Sequence, residues 1–507
     1  MIKRTLLTAD EMRACETQAI RDWGIFSLIL QEHAAIGALA LIPSGEPIHV
    51  LAGPGNNGGD ALALARLAVL QGRQVDVWTL APGQPQQFPQ SQQSPQSPQW
   101  KGDAAVQARL WEGLGKGYRQ TDAPWREVSS WRGWVVDGLF GLGIRLPLRA
   151  DALSWANALG VSERRFKVLA LDLPTGLDPS SGDVTGPVIR ADVTACFGHL
   201  KRCHGLMPAK DTCGEVILVS IPLNANPSGA LSVLCEPAFA KPKWNAHKYE
   251  HGHIAIRAGT RGMSGAAVLA ASGALRGGAG LVTVLPDPNA ADIIAAQIPE
   301  AMGVPWEGAL PRNIDVLLAG PGGVEDVPDW DGPLVLDASA LRAGDGPRWM
   351  ARPQTILTPH SGEFSRLFGQ EAPVSTQERL EAVESLNNEL NELMGESAGE
   401  PPGVLVLKGA QTLITGGGSR CVYVNPTGHP GLATGGAGDF LAGLLAGRYA
   451  RDLDDPLTAA LDAVWLHGAA ADRLGQGPLV VSDLGPAASR ILREMYGQSL
   501  EKQNKNA

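Results

Sequence analysis

Gly53-Pro54-Gly55-Asn56-Asn57-Gly58-Gly59-Asp60 lies between an apolar run, Ile48 to Ala52, and a helical pattern from Ala61 to Gln71. A strand that passes through a glycine-rich turn into a helix is the repeating unit of parallel α/β sheets. Four glycines, two asparagines and one carboxylate at such a turn let backbone amides and short polar oxygens reach a ligand without side chains in the way. The stretch is neither of the common phosphate loops. A Walker loop needs a Lys and a hydroxyl residue after its last glycine, where Asp60 stands here, and the spacing also fails the dinucleotide fingerprint. A purely structural turn joining strand to helix is the alternative reading.

Working outward, strand-like runs alternate with helical ones through the first half of the chain. They are Ile48 to Gly53, Gln74 to Leu80, Gly133 to Phe140, Lys167 to Leu173, Asp192 to Phe197 and Glu215 to Ile221. This order implies a mainly parallel sheet with helices on both faces, whose ligands bind beyond the carboxyl ends of strands, where the turn at Gly53 falls. Thr8 to Glu11 is a capping box that opens an N-terminal helix. The Gln, Pro and Ser tract from Ala81 to Gln99 cannot bury a core and reads as an inserted loop. Five tryptophans between Trp100 and Trp134 could form a stacking platform for bases, but core packing is the ordinary use of such side chains.

After the Pro, Ala and Ser-rich stretch from Pro222 to Lys243 the alternation starts afresh. His253 to Ala258, Leu281 to Leu285, Asp315 to Ala319, Leu334 to Asp337, Val404 to Lys408 and Cys421 to Val424 read as strands. Ser264 to Arg276, Thr376 to Met394, Phe440 to Tyr449 and Asp455 to Leu474 read as helices. A chain of 507 residues is long enough for two or three domains at roughly 100 to 200 residues each. We therefore expect two tandem α/β domains over 1–222 and 244–500, joined by a linker over 223–243.

Composition narrows the function. A hydrophobic share of 44% with 19% charged residues fits a globular chain, and no run of about 18 apolar residues suggests a membrane span. Met1 to Asp10 lacks an apolar core of signal-peptide length. The cysteines at positions 15, 196, 203, 213, 235 and 421 form no CxxC pair and no His-spaced metal pattern. Reduced thiols and a cytoplasmic location are the expectation. The net charge of -10 argues against nonspecific nucleic-acid binding, which rests on clustered Lys and Arg.

Thr434-Gly435-Gly436-Ala437-Gly438-Asp439 precedes the apolar helix from Phe440. Glycine amides at a helix N-terminus form an anion hole, and an aspartate beside them can take a proton from a hydroxyl. This is the working part of kinases of the ribokinase type, where Lys408-Gly409-Ala410-Gln411-Thr412, on a strand-to-strand turn, would meet the nucleotide phosphates. The fold class expected is thus a Rossmann-like parallel-sheet domain followed by a ribokinase-like domain.

With these motifs in order, the chain resembles the bifunctional NAD(P)H-hydrate repair enzymes, an NAD(P)HX epimerase domain followed by an ADP-dependent NAD(P)HX dehydratase domain. Gly53 to Asp60, Asp137-Gly138-Leu139-Phe140-Gly141-Leu142-Gly143 and Asp172-Leu173-Pro174-Thr175-Gly176 match the first. Gly262-Met263-Ser264-Gly265-Ala266, Gly320-Pro321-Gly322, Thr358-Pro359-His360, Lys408 to Thr412 and Gly436 to Asp439 match the second. The resemblance runs from about residue 8 to 495 and implies a metabolite-repair activity on hydrated NADH and NADPH.

For the epimerase, the resemblance implies that Asn56, Asn57, Gly58, Gly59 and Asp60, the loop Gly141, Leu142, Gly143, Ile144, Arg145, Leu146 and Pro147, and Asp172 contact the hydrate. It implies potassium held by Asn57, Asp137 and Thr175, oxygen donors suited to a hard cation. Carbon 6 of the ring bears a hydroxyl and a nitrogen, so losing and regaining either bond inverts it, and one carboxylate such as Asp172 suffices to shuttle the proton. An acid at a strand end that merely caps the next turn is the structural alternative for Asp137 and Asp172. Lys201 is either a cation near the substrate or a solvated surface lysine.

For the dehydratase, the resemblance assigns Asp439 as base, Ala266, Gly322, His360 and Asp439 to the hydrate, and Lys408, Gly409, Ala410, Gln411, Thr412 and Gly438 to ADP, with magnesium accompanying the nucleotide. Phosphorylating the hydroxyl turns it into a leaving group that the ring nitrogen can expel, and ADP becomes AMP and phosphate. A homo-oligomer is expected, with small molecules as the partners and neither nucleic acid nor membrane. Ser361 and Ala437 stand where the family usually has Pro and Thr, and Arg257 and Ala258 replace a usual glycine pair. The rival reading is a small-molecule kinase, for a sugar or vitamin, behind a ligand-binding N-terminal module.

Overall fold

The computed structural model describes residues 3–80, 100–148, 150–161, 164–223, 231–234, 237, 239, 245–396, 401–475 and 477–505. The tract at 81–99 and most of the 223–243 stretch lie outside the described residues. The chain divides into two compact units, Thr5–Gly229 and Ala230–Ala507, the second also taking Met1–Arg4.

The first unit is built on six parallel strands. Their order across the sheet is Val75–Thr79, Ile48–Ala52, Gly133–Gly138, Phe166–Leu171, Val193–Phe197 and Glu215–Val219. Covered on both faces, the central strands read as continuous apolar runs: Val168, Leu169, Ala170 and Leu171 are all fully buried. The N-terminal helix Ala9–Trp23 starts on the predicted capping box. Glu11 N donates to Thr8 Oγ1 at 3.2 Å and Thr8 N to the Glu11 carboxylate at 2.7 Å, and Gly24 ends the helix in the left-handed conformation. Three of the five tryptophans are packing material, while Trp125 is exposed. Trp111, Trp131 and Trp134 are buried, and Trp131 stacks on His49 with ring centroids 4.5 Å apart.

The second unit has a larger sheet. Met302–Gly303, Leu281–Val284, His253–Arg257, Val316–Ala319, Leu334–Leu336, Thr355–Leu357 and Val404–Leu407 run parallel. Leu413–Gly416 then turns back antiparallel to Val404–Leu407, Val422–Val424 reverses again, and Leu231–Leu234 pairs parallel with that last strand. Helix Ala437–Tyr449 is buried nearly all round. It packs on helix Ser264–Gly277 at backbone distance: a Cβ on Gly443 would stand 1.8 Å from the Ala270 carbonyl oxygen, and one on Gly273 2.2 Å from that of Phe440. Glycine is required where two helix backbones meet so closely.

Cys15, Cys196, Cys203, Cys213 and Cys421 are free thiols. No described helix is long and apolar enough to cross a membrane.

Candidate active sites at two switch points

In each sheet the chain runs outward from a first central strand, then crosses back to pair on that strand's other side. The carboxyl ends of the two strands flanking such a reversal diverge and leave a crevice. In the first unit the flanking strands are Ile48–Ala52 and Gly133–Gly138; in the second they are His253–Arg257 and Val316–Ala319. The sequence motifs fall at these two places.

In the first unit Gly53 N donates to Gly138 O at 3.1 Å, and the helix that follows begins at Asn56 rather than Ala61. Asn56 to Asp60 are therefore its opening turn, with Asn57, Gly58 and Gly59 buried. A Cβ on Gly58 would lie 1.7 Å from Gly53 O; only glycine lets the turn fold back on the strand end. A cavity of about 370 Å³ opens here, bounded by Asn56, Asn57, Asp60, Leu139 to Gly143 and Asp172. Gly58 and Gly59 lie beneath that wall, and Ile144, Arg145, Leu146 and Pro147 stand outside the lining.

Asp137, next to last in its strand, is fully buried. Thr175 donates to it from both N and Oγ1, each at 2.8 Å, and Leu139 N donates at 3.3 Å. Burial pushes its pKa up to about 6, against the pull of those donors. Among the described residues no basic side chain pairs with it. Thr175 Oγ1 also accepts from Phe140 N at 3.2 Å. Asn57 is buried with its Nδ2 unpartnered, and a Cβ on Gly141 would sit 3.3 Å from Asn57 Oδ1.

Asp172 follows the strand Phe166–Leu171 with φ of 65°, a left-handed backbone that is strained for most side chains and tolerated by Asp. Its Oδ1 accepts from Phe197 N at 3.2 Å and from the Lys201 ammonium. Lys201 is not a solvated lysine: it is fully buried, and its Nζ also donates to Phe197 O at 2.8 Å. Burial alone would lower the Lys201 pKa, but Asp172 beside it holds the group charged. The neighbours stay neutral. Burial pushes the Cys196 thiol up to about 12 and the His204 imidazole down to about 4.

In the second unit Gly259 N donates to Pro321 O, and Thr260 N to Gly322 O, each at 3.0 Å. This clasps the loop before helix Ser264–Gly277, which carries Ala266 half-buried in its first turn, against Gly322. Arg257 does not fill that crevice. It is buried in ion pairs with Asp326 at 2.9 Å and Asp287 at 3.0 Å. His360 caps helix Ser361–Phe368, its Nδ1 accepting from Gly362 N at 3.0 Å and Glu363 N at 3.2 Å. The ring proton therefore sits on Nε2, 3.5 Å from the Glu363 carboxylate.

Lys408 follows its strand and bridges to His360, and its N donates to Pro359 O at 2.8 Å. Its ammonium pairs with Asp337, which also accepts from Thr358 Oγ1 at 2.8 Å. A Cβ on Gly438 would lie 3.4 Å from Lys408 Nζ, so the lysine reaches the first turn of helix Ala437–Tyr449, where Asp439 stands. Burial, then Asp337 and Glu363 against Lys408, push the Asp439 carboxyl up to about 6. Gly409 and Ala410 are exposed at the hairpin tip while Gln411 is buried. Arg379, from helix Thr376–Glu396, lies buried under Gly409 and donates to Leu407 O at 3.1 Å.

Sequence reasoning missed Glu16, Arg13, Gln31 and Asp103 on the cavity of the first unit, and Asp337 and Arg379 beside Lys408 and Gly409 in the second. Asp337 carried the same mark as Asp137 and Asp172, an acid at the carboxyl end of an apolar strand. Glu16 carried a subtler one, a carboxylate in step with the buried residues Met12, Cys15 and Ala19 of its helix.

The comparisons with known proteins fall on these two units. Residues 27–203 match the family model "YjeF-related protein N-terminus", and residues 254–493 match "NAD(P)H-hydrate dehydratase". The bifunctional NAD(P)H-hydrate repair enzyme Nnr of Coxiella burnetii is 35% identical over 483 residues, covering 90% of this chain and 92% of that protein. This chain belongs to the bifunctional NAD(P)H-hydrate repair enzymes. The Nnr protein of Moorella thermoacetica is 30% identical, with 97% of each chain covered. The crystal structure of an ADP/ATP-dependent NAD(P)H-hydrate dehydratase from Bacillus subtilis, co-crystallised with ATP/Mg2+, is 30% identical with a TM-score of 0.42. It covers 51% of this chain and 95% of its own.

Proposed function

We propose that this chain repairs hydrated NADH and NADPH in two steps. The first unit interconverts the R and S hydrates at carbon 6 of the nicotinamide ring. The second dehydrates the S hydrate at the expense of ADP, giving NAD(P)H, AMP and phosphate. The observation that carries this reading is that one chain holds both chemistries at its two switch points. One is a cavity walled by the glycine turn and a lysine-paired Asp172; the other is a kinase-like meeting of Lys408, Gly438 and Asp439.

In the epimerase cavity Asn57, Asp60 and the 141–143 loop hold the hydrate, and Asp172 exchanges protons at carbon 6. Asn57, Asp137 and Thr175 suit a potassium ion. Asp137 is a buried carboxylate with no basic partner among the described residues, and a monovalent cation would hold it ionised where burial alone favours the neutral acid. When bound, that ion supplies charge balance and fixes the turn.

In the dehydratase, Asp439 takes the proton of the hydrate hydroxyl as it attacks the β-phosphorus of ADP, and the Gly438 amide at the helix N-terminus meets the moving phosphoryl group. Lys408 to Thr412 bind the nucleotide phosphates, with Ala266, Gly322 and His360 against the hydrate. The ring nitrogen then expels phosphate. No group of three or more His, Cys, Asp or Glu poised for a metal occurs among the described residues. Magnesium would accompany the nucleotide, since this ion is commonly bound through substrate phosphates. The same reading puts the chain in the cytoplasm, where its substrates form, as a homo-oligomer.

Product stoichiometry tests this. One AMP and one phosphate should appear for each NADH formed from the S hydrate. A stable phosphorylated product, or consumption of ADP without NADH, would refute it.

A further inference from the structure

We infer that Glu16 is the second proton-transfer group of the epimerase cavity, working opposite Asp172. The inference rests on the epimerase reading of that cavity. Inverting a carbon that bears a hydroxyl and a ring nitrogen, by way of the carbon–oxygen bond, needs a proton delivered to the departing oxygen and a proton removed from the water that returns. Departure and return take place on opposite faces of the ring, and Asp172, its Oδ1 already accepting from the fully buried Lys201 ammonium and Phe197 N, serves one of them. A separate donor is required.

Glu16 lines the same cavity as Asp172 and is half-buried. Its carboxyl has no hydrogen-bond or ion-pair partner among the described residues. The charged groups facing it are Arg13 on its own helix, Asp60 on the glycine-turn helix, Asp103 on helix Gly102–Gly113, and Asp172 with Lys201 at the sheet. Neither cation is at its disposal: Lys201 is committed to Asp172, and Arg13 donates to Asp10 at 2.6 Å and to Leu142 O at 2.5 Å. A half-buried carboxyl among other carboxylates favours its neutral form. Burial first, then Asp172, push Glu16 up to about 7.

The step balances. Glu16 gives its proton to the carbon-6 hydroxyl, and the carbon–oxygen bond breaks with its electron pair leaving on water. The ring nitrogen lone pair forms a carbon–nitrogen double bond. Water then adds to the opposite face as that double bond returns its pair to nitrogen, and Asp172 takes the proton the water loses. The enzyme is left with Glu16 ionised and Asp172 protonated, the form that carries the other epimer back. Exchange with solvent resets the pair.

The test follows epimerisation of a purified single hydrate by the full-length protein without ADP, and dehydration of the S hydrate with ADP. Glu16→Gln keeps the volume and the neutral charge but has no proton to give. It should lower the epimerisation kcat on the order of 100-fold or more, with KM and dehydration unchanged, and Glu16→Asp should recover part of the loss. In the wild type, the rate for the epimer that needs protonated Glu16 should fall as pH rises through about 7, and this limb should vanish in Glu16→Gln. A merely structural Glu16 predicts that Gln is tolerated and the limb stays. Wild-type epimerisation by Glu16→Gln alongside an inactive Asp172→Asn would overturn the role of Glu16 and leave the epimerase reading standing. A wild type that does not epimerise would overturn both. If Glu16→Gln does not fold, a wild-type profile flat from pH 6 to 9 overturns the inference.

Discussion

The guanidinium of Arg379 lies face-on beneath Gly409: a Cβ there would stand 2.4 to 2.5 Å from its Nη1, Cζ and Nη2. Among the described residues no carboxylate pairs with Arg379, and its Nε has no partner. Burying such a charge unpaired is costly, and on the proposed reading it places a positive charge under the loop that meets the nucleotide. The Gly409→Ala variant must displace the guanidinium. We expect it to raise KM for ADP about tenfold or more, a loss of about 1.4 kcal/mol, with epimerisation unchanged, as a two-activity assay would read.

Lys201→Met should damage the first unit in both stability and function. It strips a fully buried partner from Asp172, and breaking a buried pair by removing one member costs about 3–5 kcal/mol. Thermal denaturation should show the loss, and Lys201→Met combined with Asp172→Leu should recover much of the stability without recovering epimerisation.

Asp439→Asn should abolish dehydration by about 100-fold or more while leaving epimerisation intact. Because its carboxyl is raised to about 6, dehydration should decline as pH falls through 6 and the base is protonated. The stability sign is opposite. A carboxyl raised above its unfolded value of 3.8 stabilises the fold most below that value, and the benefit is gone once pH passes about 6. The Asn variant should therefore melt higher than the wild type at pH 8, and a lower melting temperature at that pH would contradict this account.

A cation held by Asp137 should stabilise the first unit. Potassium chloride should raise the melting temperature of the wild type above that in choline chloride at equal ionic strength. The difference should be lost in Asp137→Asn and reduced in Thr175→Ala.

Much of this organisation was legible because parallel strands buried on both faces, such as Val168 to Leu171, leave continuous apolar runs, and glycine turns mark where they end. Asp137, Asp172 and Asp439 stood out as acids at strand ends or helix starts. The helix starts themselves were set too late: Asn56 to Asp60 and Ala437 to Asp439 are already helical, since glycines that serve close backbone approach mimic a turn. The strand Thr355–Leu357 is too short to show a period. The partner of Lys201 could not be read at all, because its pairing with Asp172 joins residues 29 positions apart. Arg379 was hidden for a like reason. Its helix is partly buried by apolar residues such as Leu380 and Val383, and only the fold brings Arg379 under a hairpin 28 residues on at Leu407.

The most direct test of two repair activities in one chain is recovery of NADH absorbance from an equal mixture of R and S hydrates with excess ADP. The account predicts recovery of all the hydrate at a rate proportional to enzyme, with Asp172→Asn stopping at about half and Asp439→Asn recovering none. A wild type that halts at half the hydrate, or recovers none of it, would contradict it.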